Sequence, residues 1–247
     1  MSLTGTRDYY KPFDHPWMFD YYVQQNQMHW FPEDVPLHND VQDWQYLSDK
    51  EKNLLTQIFR LFTQSDVDVS TGYVDRYMRI FKKPEARMMM GAFNNMESIH
   101  QHAYSLLLDT VGMPEIEYKA FSEYEAMADK HQLFSSFIIL LNFPRFGKMK
   151  GMGQIITYSI RDESLHVEAM TQLFREYIQE NIDLWTDDFK KEIYQACRDM
   201  VDLEDRFLNL VFKMGDIVGL TQKEMSQYIR YIADRRLLQL GLKTNYD

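Results

Sequence analysis

Glu97-Ser-Ile-His100 and Glu163-Ser-Leu-His166 decide how this chain folds. Each places a histidine three residues after a glutamate, inside a long stretch with helical apolar spacing. Positions i and i+3 share one face of an α-helix. Each pair can therefore offer a carboxylate oxygen and an imidazole nitrogen to one point. A single pair of this kind is common on solvated helix faces. Two of them, 66 residues apart and both in amphipathic stretches, are a far more specific signal. Facing helices of this type, joined by carboxylates from two further helices, build dinuclear iron or manganese sites inside helix bundles. The motif pair thus implies an all-α bundle with a dinuclear metal site in its core.

The rest of the chain agrees with that architecture. Residues 1–45 hold Pro12, Pro16, Pro32 and Pro36 among many aromatics, and read as an arm of short helices and extended pieces packed on the bundle. Residues 46–247 read as the bundle itself, one domain. Ser48-Asp-Lys-Glu51 is a capping box that opens a helix expected to run through Leu54, Leu55, Ile58, Leu61, Phe62 and Asp66 to about Phe81. Pro84 starts the helix of Glu97 and His100, and Gly112 stops it. Further helices are expected over 114–130, over 132–143 up to the break at Pro144, and over 152–181, 186–215 and 221–240. Alternating strand patterns are essentially absent.

Composition narrows the function. A net charge of −10 excludes the basic footprint of a nucleic-acid binder. The lone Cys197 excludes an internal disulfide framework or a dithiol pair, so a cytoplasmic setting fits and any dithiol chemistry is done elsewhere. The first ten residues carry no signal-peptide core, and the longest apolar run, Leu133 to Phe143, is too short to span a bilayer. No membrane partner is expected. The 16 Tyr, 16 Phe and 4 Trp suit either a thick core or an electron path, and composition does not choose.

Two more residues join the motifs. Asp66 lies in Ser65-Asp-Val-Asp-Val69, and Asp68 points about 200° away from it, so only one of the two can face the core. Taken alone, Asp66 reads as a solvated acid. Tyr104 follows His100 by four residues, on the same face one turn on. It is either a core tyrosine with a satisfied hydroxyl or a redox-active one. His15, His29, His38, His102 and His131 have no ligand-spaced partner and read as structural, and the methionines, Met88-Met-Met90 included, as core filler.

These stretches, with His29-Trp-Phe-Pro-Glu33, Gln64-Ser-Asp66, Tyr104-Ser-Leu-Leu107 and Arg161-Asp-Glu-Ser-Leu-His166, resemble the small, radical-generating subunit of class I ribonucleotide reductase, over Trp30 to about Asp216. The resemblance implies a ferritin-like bundle. It implies that Asp66, Glu97 and His100 bind one metal, and that Glu163 and His166, with another glutamate, bind the second. The metals would be two iron ions, a manganese/iron pair or two manganese ions. Tyr104 would hold the radical, with Phe137 lining its apolar pocket, and Trp30, Asp162 and His100 would start the electron path. The implied partners are a large catalytic subunit and a second copy in a homodimer.

Two departures stand out. Counting back from Phe137, the slot of the family's remaining glutamate is Asp129, followed by Lys130, and the stretch before it is shorter than the family's. Asp129 is either a shortened substitute ligand or incidental to that junction. The chain also ends at Asn245-Tyr-Asp247, with no match to the tail that carries the family's relay tyrosine, so Tyr246 is not taken for it. Two other functions compete: a ferritin-like di-metal oxidase or oxygenase, and a metal-incompetent scaffold subunit. Tyr104, Trp30 and Asp162 favour the reductase over the oxidase, and metal content separates both from the scaffold.

Overall fold

The computed structural model describes residues 2–113 and 134–246, and its long elements are all helices; an isolated bridge between Ile217 and Leu220 is the one pairing of extended backbone among them. The arm contains α1 (Pro16–Gln27), a 3₁₀ turn at Pro32–Asp34 and α2 (His38–Tyr46). Then come α3 (Asp49–Gly72), α4 (Pro84–Thr110), α5 (Phe134–Arg145), α6 (Lys150–Glu180), α7 (Asp187–Val211) and α8 (Gln222–Gln239). The expected helix over 114–130, and with it Asp129 and His131, lies outside the described residues.

The sequence signals act where they stand. Ser48 and Glu51 close the capping box at the start of α3, and Thr221 with Glu224 does the same for α8. Pro16 and Pro84 occupy the first turns of α1 and α4, and Gly112 follows α4 with φ +76°. Three boundaries differ from expectation, one of them the end of α7, which stops at Val211 rather than at 215. α3 gives way at Gly72 to a π turn, Tyr73–Tyr77, and a short piece, Met78–Ile80. The wider turn resets the helix face, leaving Tyr73 buried and residues 74–77 exposed. α5 runs through Pro144 to Arg145 rather than stopping before it. At the end of a helix the proline gives up only one bond.

α3 and α1 pack on α4, α5 and α2 on α6, and α7 on α8. The apolar core falls into two clusters. One holds Phe59, Phe62, Tyr104, Phe137 and Ile155; the other holds Tyr73, Phe93, Leu165 and Ala169. Along α3, α4 and α6 the buried Asp66, Glu97, His100 and His166 fall where one cluster gives way to the other.

α6 carries most of that polar seam, and α2 fixes where it begins. Asp40, fully buried, accepts the N–H groups of Gly151 (2.9 Å) and Met152 (2.6 Å), and Asp43 accepts that of Met149 (2.7 Å). These satisfy three of the donors a helix start leaves free, and the acids sit at the positive end of the helix dipole. Gly153 lets α5 approach closely, since a Cβ there would lie 2.6 Å from Pro144 Cγ.

Candidate metal centre

The helical spacing places the motif residues as the sequence suggests. Asp66 comes from α3, Glu97 and His100 from α4, and Glu163 and His166 from α6. Asp66, Glu97, His100 and His166 are at most 2% exposed, while Asp68 faces solvent. Asp66, Glu97 and His100 form one group able to hold a metal ion; Glu97, Glu163 and His166 form another, with ligand atoms in each group within 4.8 Å of one another. Glu97 therefore belongs to both groups.

Two carboxylates each span two imidazoles. Glu97 Oε2 lies 3.5 Å from His100 Nδ1, and its Oε1 lies 3.0 Å from His166 Nδ1. Glu163 Oε1 lies 3.4 Å from His100 Nδ1, and its Oε2 lies 3.6 Å from His166 Nδ1. Both histidines thus turn Nδ1 inward and tie Nε2 outward. His100 Nε2 sits 3.2 Å from Asp162 Oδ2, and His166 Nε2 sits 2.9 Å from Gln25 Oε1. Such outer bonds fix the tautomer and the ring, leaving Nδ1 as the candidate ligand atom.

The inward atoms face chiefly one another rather than ordinary hydrogen-bond partners. Asp66 Oδ2, both oxygens of Glu97 and Nδ1 of His166 are buried without a hydrogen bond among the described residues. Each orphaned buried polar atom costs about 1–3 kcal/mol, and more when charged. With little beyond one another's charge to offset their burial, these atoms suit a bound cation, and oxygen and imidazole donors suit iron or manganese. The donor set fits a dinuclear site.

The electrostatics follow. Burial, reinforced by the charge of Glu97, pushes the Asp66 carboxyl well above the usual range. Burial would lower the His166 imidazole, but the facing Glu163 and Glu97 carboxylates outweigh it and hold it at about 9. His100 is likewise held up, by Asp162, Glu163 and Glu97 against burial. Burial would raise Glu163, yet the two imidazoles bring it well below its ordinary value.

A hydrogen-bonded line leaves the centre. Trp30 Nε1 donates to Asp162 Oδ2 at 2.9 Å, the same oxygen that faces His100. Arg161 braces Asp162 through Oδ1 (3.1 Å) and donates to the Met28 carbonyl (2.6 Å). On the other side, the ring of Tyr104 sits 6.4 Å from His100 and 4.8 Å from Phe62, and Phe137 lies 5.2 Å beyond Phe62. Burial, aided by the charge of Asp66, pushes the Tyr104 hydroxyl well up.

Three residues with a place here escaped the sequence reading. Gln25 of α1 bridges His166 and, at 3.4 Å, Asp162. Ser159 of α6 accepts the Tyr104 hydroxyl at 2.9 Å. Tyr73 is buried with its ring 6.2 Å from that of His166. Gln25 sits in an arm with no metal-ligand spacing, so nothing local marks it. Ser159 and Tyr73 carried a readable signal, at Glu163 minus four and Asp66 plus seven on helical faces.

Known proteins resemble this chain over most of its length. The family model described as the small chain of ribonucleotide reductase matches in two pieces, residues 7–134 and 126–247, which overlap at the junction before α5. The probable ribonucleoside-diphosphate reductase small subunit 376L of Invertebrate iridescent virus 6 is 38% identical over 311 positions, spanning all of this chain and 86% of the relative. That alignment is several dozen positions longer than the 247 residues here, so the relative holds a stretch that this chain lacks. Among solved structures, the ribonucleotide reductase R2 subunit from Clostridium botulinum superposes with a TM-score of 0.86 at 24% identity, over 93% of this chain and 83% of that one. The dimanganese(II)-NrdF of Streptococcus sanguinis gives 0.82 at 20% identity, over 98% and 94%. At these identities the two structures show the fold.

Proposed function

The chain belongs to the ribonucleotide reductase small-chain family, and from that premise we propose that it generates a tyrosyl radical for a separate large subunit that reduces ribonucleotides to deoxyribonucleotides. It is an oxidoreductase of the ribonucleoside-diphosphate reductase type. The observation that carries the radical reading is the pair of carboxylates, Glu97 and Glu163, each set between the inward nitrogens of His100 and His166.

In this reading Asp66, Glu97 and His100 hold one metal, and Glu97, Glu163 and His166 hold the other. Bound iron or manganese, once oxidised by O₂ or a related oxidant, would supply the one-electron oxidising power. The pair is two iron ions, manganese with iron, or two manganese ions; the Streptococcus sanguinis relative is described with manganese. Tyr104 is the residue oxidised, and Phe62 and Phe137 keep water from its ring. Asp162 joins Trp30 to His100 and so lets charge pass between the centre and the surface facing the large subunit. The radical leaves this chain because the lone Cys197 cannot perform dithiol reduction. A homodimer and a cytoplasmic location complete the proposal. No helix among the described residues is long and apolar enough to cross a membrane.

Electron paramagnetic resonance after reconstitution with Fe(II) or Mn(II) and exposure to O₂ or a related oxidant, paired with metal analysis, tests it. The expected result is a tyrosyl signal that Tyr104→Phe abolishes while bound metal and helix content stay unchanged. A signal that persists in that variant assigns the radical to another residue and overturns the role of Tyr104.

A further inference from the structure

Ser159 lies midway between Ile155 and Glu163 on α6, four residues from each and on the face turned to the metal centre. Its Oγ accepts the hydroxyl of Tyr104 at 2.9 Å and donates to the Ile155 carbonyl at 3.1 Å. Ser159 is 0% exposed and Tyr104 1%. The modest explanation is that a buried phenol needs a partner and a serine provides one. The bond to Ile155 is unremarkable in itself, since helical serines return to the carbonyl four residues back, as Ser65 and Ser164 do here.

The second bond makes Ser159 more than a partner of convenience. A phenol can donate, whereas a neutral phenoxyl can only accept. A serine hydroxyl has one proton and two lone pairs, and it can turn the proton without moving the oxygen. In the phenol form, Oγ receives the Tyr104 proton and points its own at Ile155. In the phenoxyl form, the same oxygen can swing its proton from the Ile155 carbonyl to the phenoxyl oxygen, with no shift of the oxygen required. The carbonyl then keeps its ordinary helical bond. An alanine, valine or isoleucine at 159 would leave the phenol unpartnered and the phenoxyl without a donor.

We infer that Ser159 is a positioning residue for Tyr104, hydrogen-bonded to it in both the phenol and the phenoxyl state. The inference rests on the proposal that Tyr104 carries the radical. Ser159 keeps its single proton throughout, and the electron and proton that Tyr104 loses belong to the oxidation itself. A donated hydrogen bond of ordinary strength lengthens the lifetime of the radical about two- to tenfold.

The test has two readouts. In metal-free protein, the infrared C–O band of Tyr104 is isolated by difference against Tyr104→Phe. It is expected to shift in Ser159→Ala and to return in Ser159→Thr, which restores the hydroxyl. In reconstituted protein exchanged into D₂O, electron–nuclear double resonance is expected to show an exchangeable deuteron coupled to the radical. That coupling disappears in Ser159→Ala with a two- to tenfold shorter radical half-life, and Ser159→Thr recovers both. An unmoved infrared band overturns the bond. A shifted band with the deuteron coupling and half-life unchanged in Ser159→Ala reduces Ser159 to a structural partner and overturns the positioning role. A parent protein without a Tyr104 radical overturns the reading beneath the inference, and the infrared result still decides the bond separately.

Discussion

At the scale of single residues, the centre separates side chains that would hold metal from those that aim them. If Glu163 and His166 bind metal as proposed, removing either deletes a ligand outright. Glu163→Ala and His166→Ala are each expected to lose about one metal equivalent or more per chain, with unchanged stoichiometry in both contradicting the assignment. Gln25 acts through His166. Gln25→Leu removes the acceptor of the outward nitrogen, and a loss of about 10- to 100-fold in metal affinity is expected by competition with a chelator. Protons compete with metal for the inward Nδ1 of His166. His166 is held at about 9 against an ordinary 6.5, so the stabilisation from its carboxylate pairs is complete below about 6.5 and is lost as pH rises through about 9. Metal would have to displace that proton, so affinity for Mn(II) is expected to rise with pH between neutral pH and about 9. Calorimetry in buffers of different ionisation heat checks this, and loading without proton release contradicts it. Glu97, His100, Glu163 and His166 were legible in the sequence because both members of each pair lie on one helix at a fixed spacing. Asp66 alone read as a solvated acid and gained its meaning only from the family resemblance. Gln25 was illegible because its partners arrive from α6, and nothing in a one-dimensional pattern joins α1 to α6.

At the scale of elements, the bundle works by holding three helix faces in register. α6 brings Ser159, Asp162, Glu163 and His166, and its start is set by the acids of α2. Asp40→Ala leaves the N–H groups of Gly151 and Met152 buried without their acceptor. A loss of about 1–3 kcal/mol is expected in denaturant unfolding. An effect within about 0.5 kcal/mol, the range of neutral surface changes, contradicts the capping role. The helices themselves were readable from capping boxes, first-turn prolines and apolar spacing. The π turn at Tyr73–Tyr77 was not, since one extra residue in a turn leaves no compositional mark and the apolar pattern on either side stays helical. Nor was the passage of α5 through Pro144, where proline was read as a stop although the last turn tolerates it.

At the scale of the whole molecule, the family's architecture is carried by a chain shorter than its viral relative, with the two pieces of the family match meeting at residues 126–134. Asp129 lies in that junction, outside the described residues. Because Glu97 belongs to both candidate groups, a second metal would have three ligands without Asp129. Asp129→Asn is therefore expected to leave metal content unchanged, and the loss of one metal would make Asp129 a ligand. The central claim is the shared, dinuclear site, and metal analysis of the full chain beside Glu97→Gln addresses it most directly. Glutamine keeps the size of the side chain and removes the charge that would join both ions. The account predicts about two metals per chain in the parent and the loss of both in Glu97→Gln, with the circular dichroism of the helices unchanged. A parent that binds one metal or none, or a Glu97→Gln protein that keeps two, would contradict it.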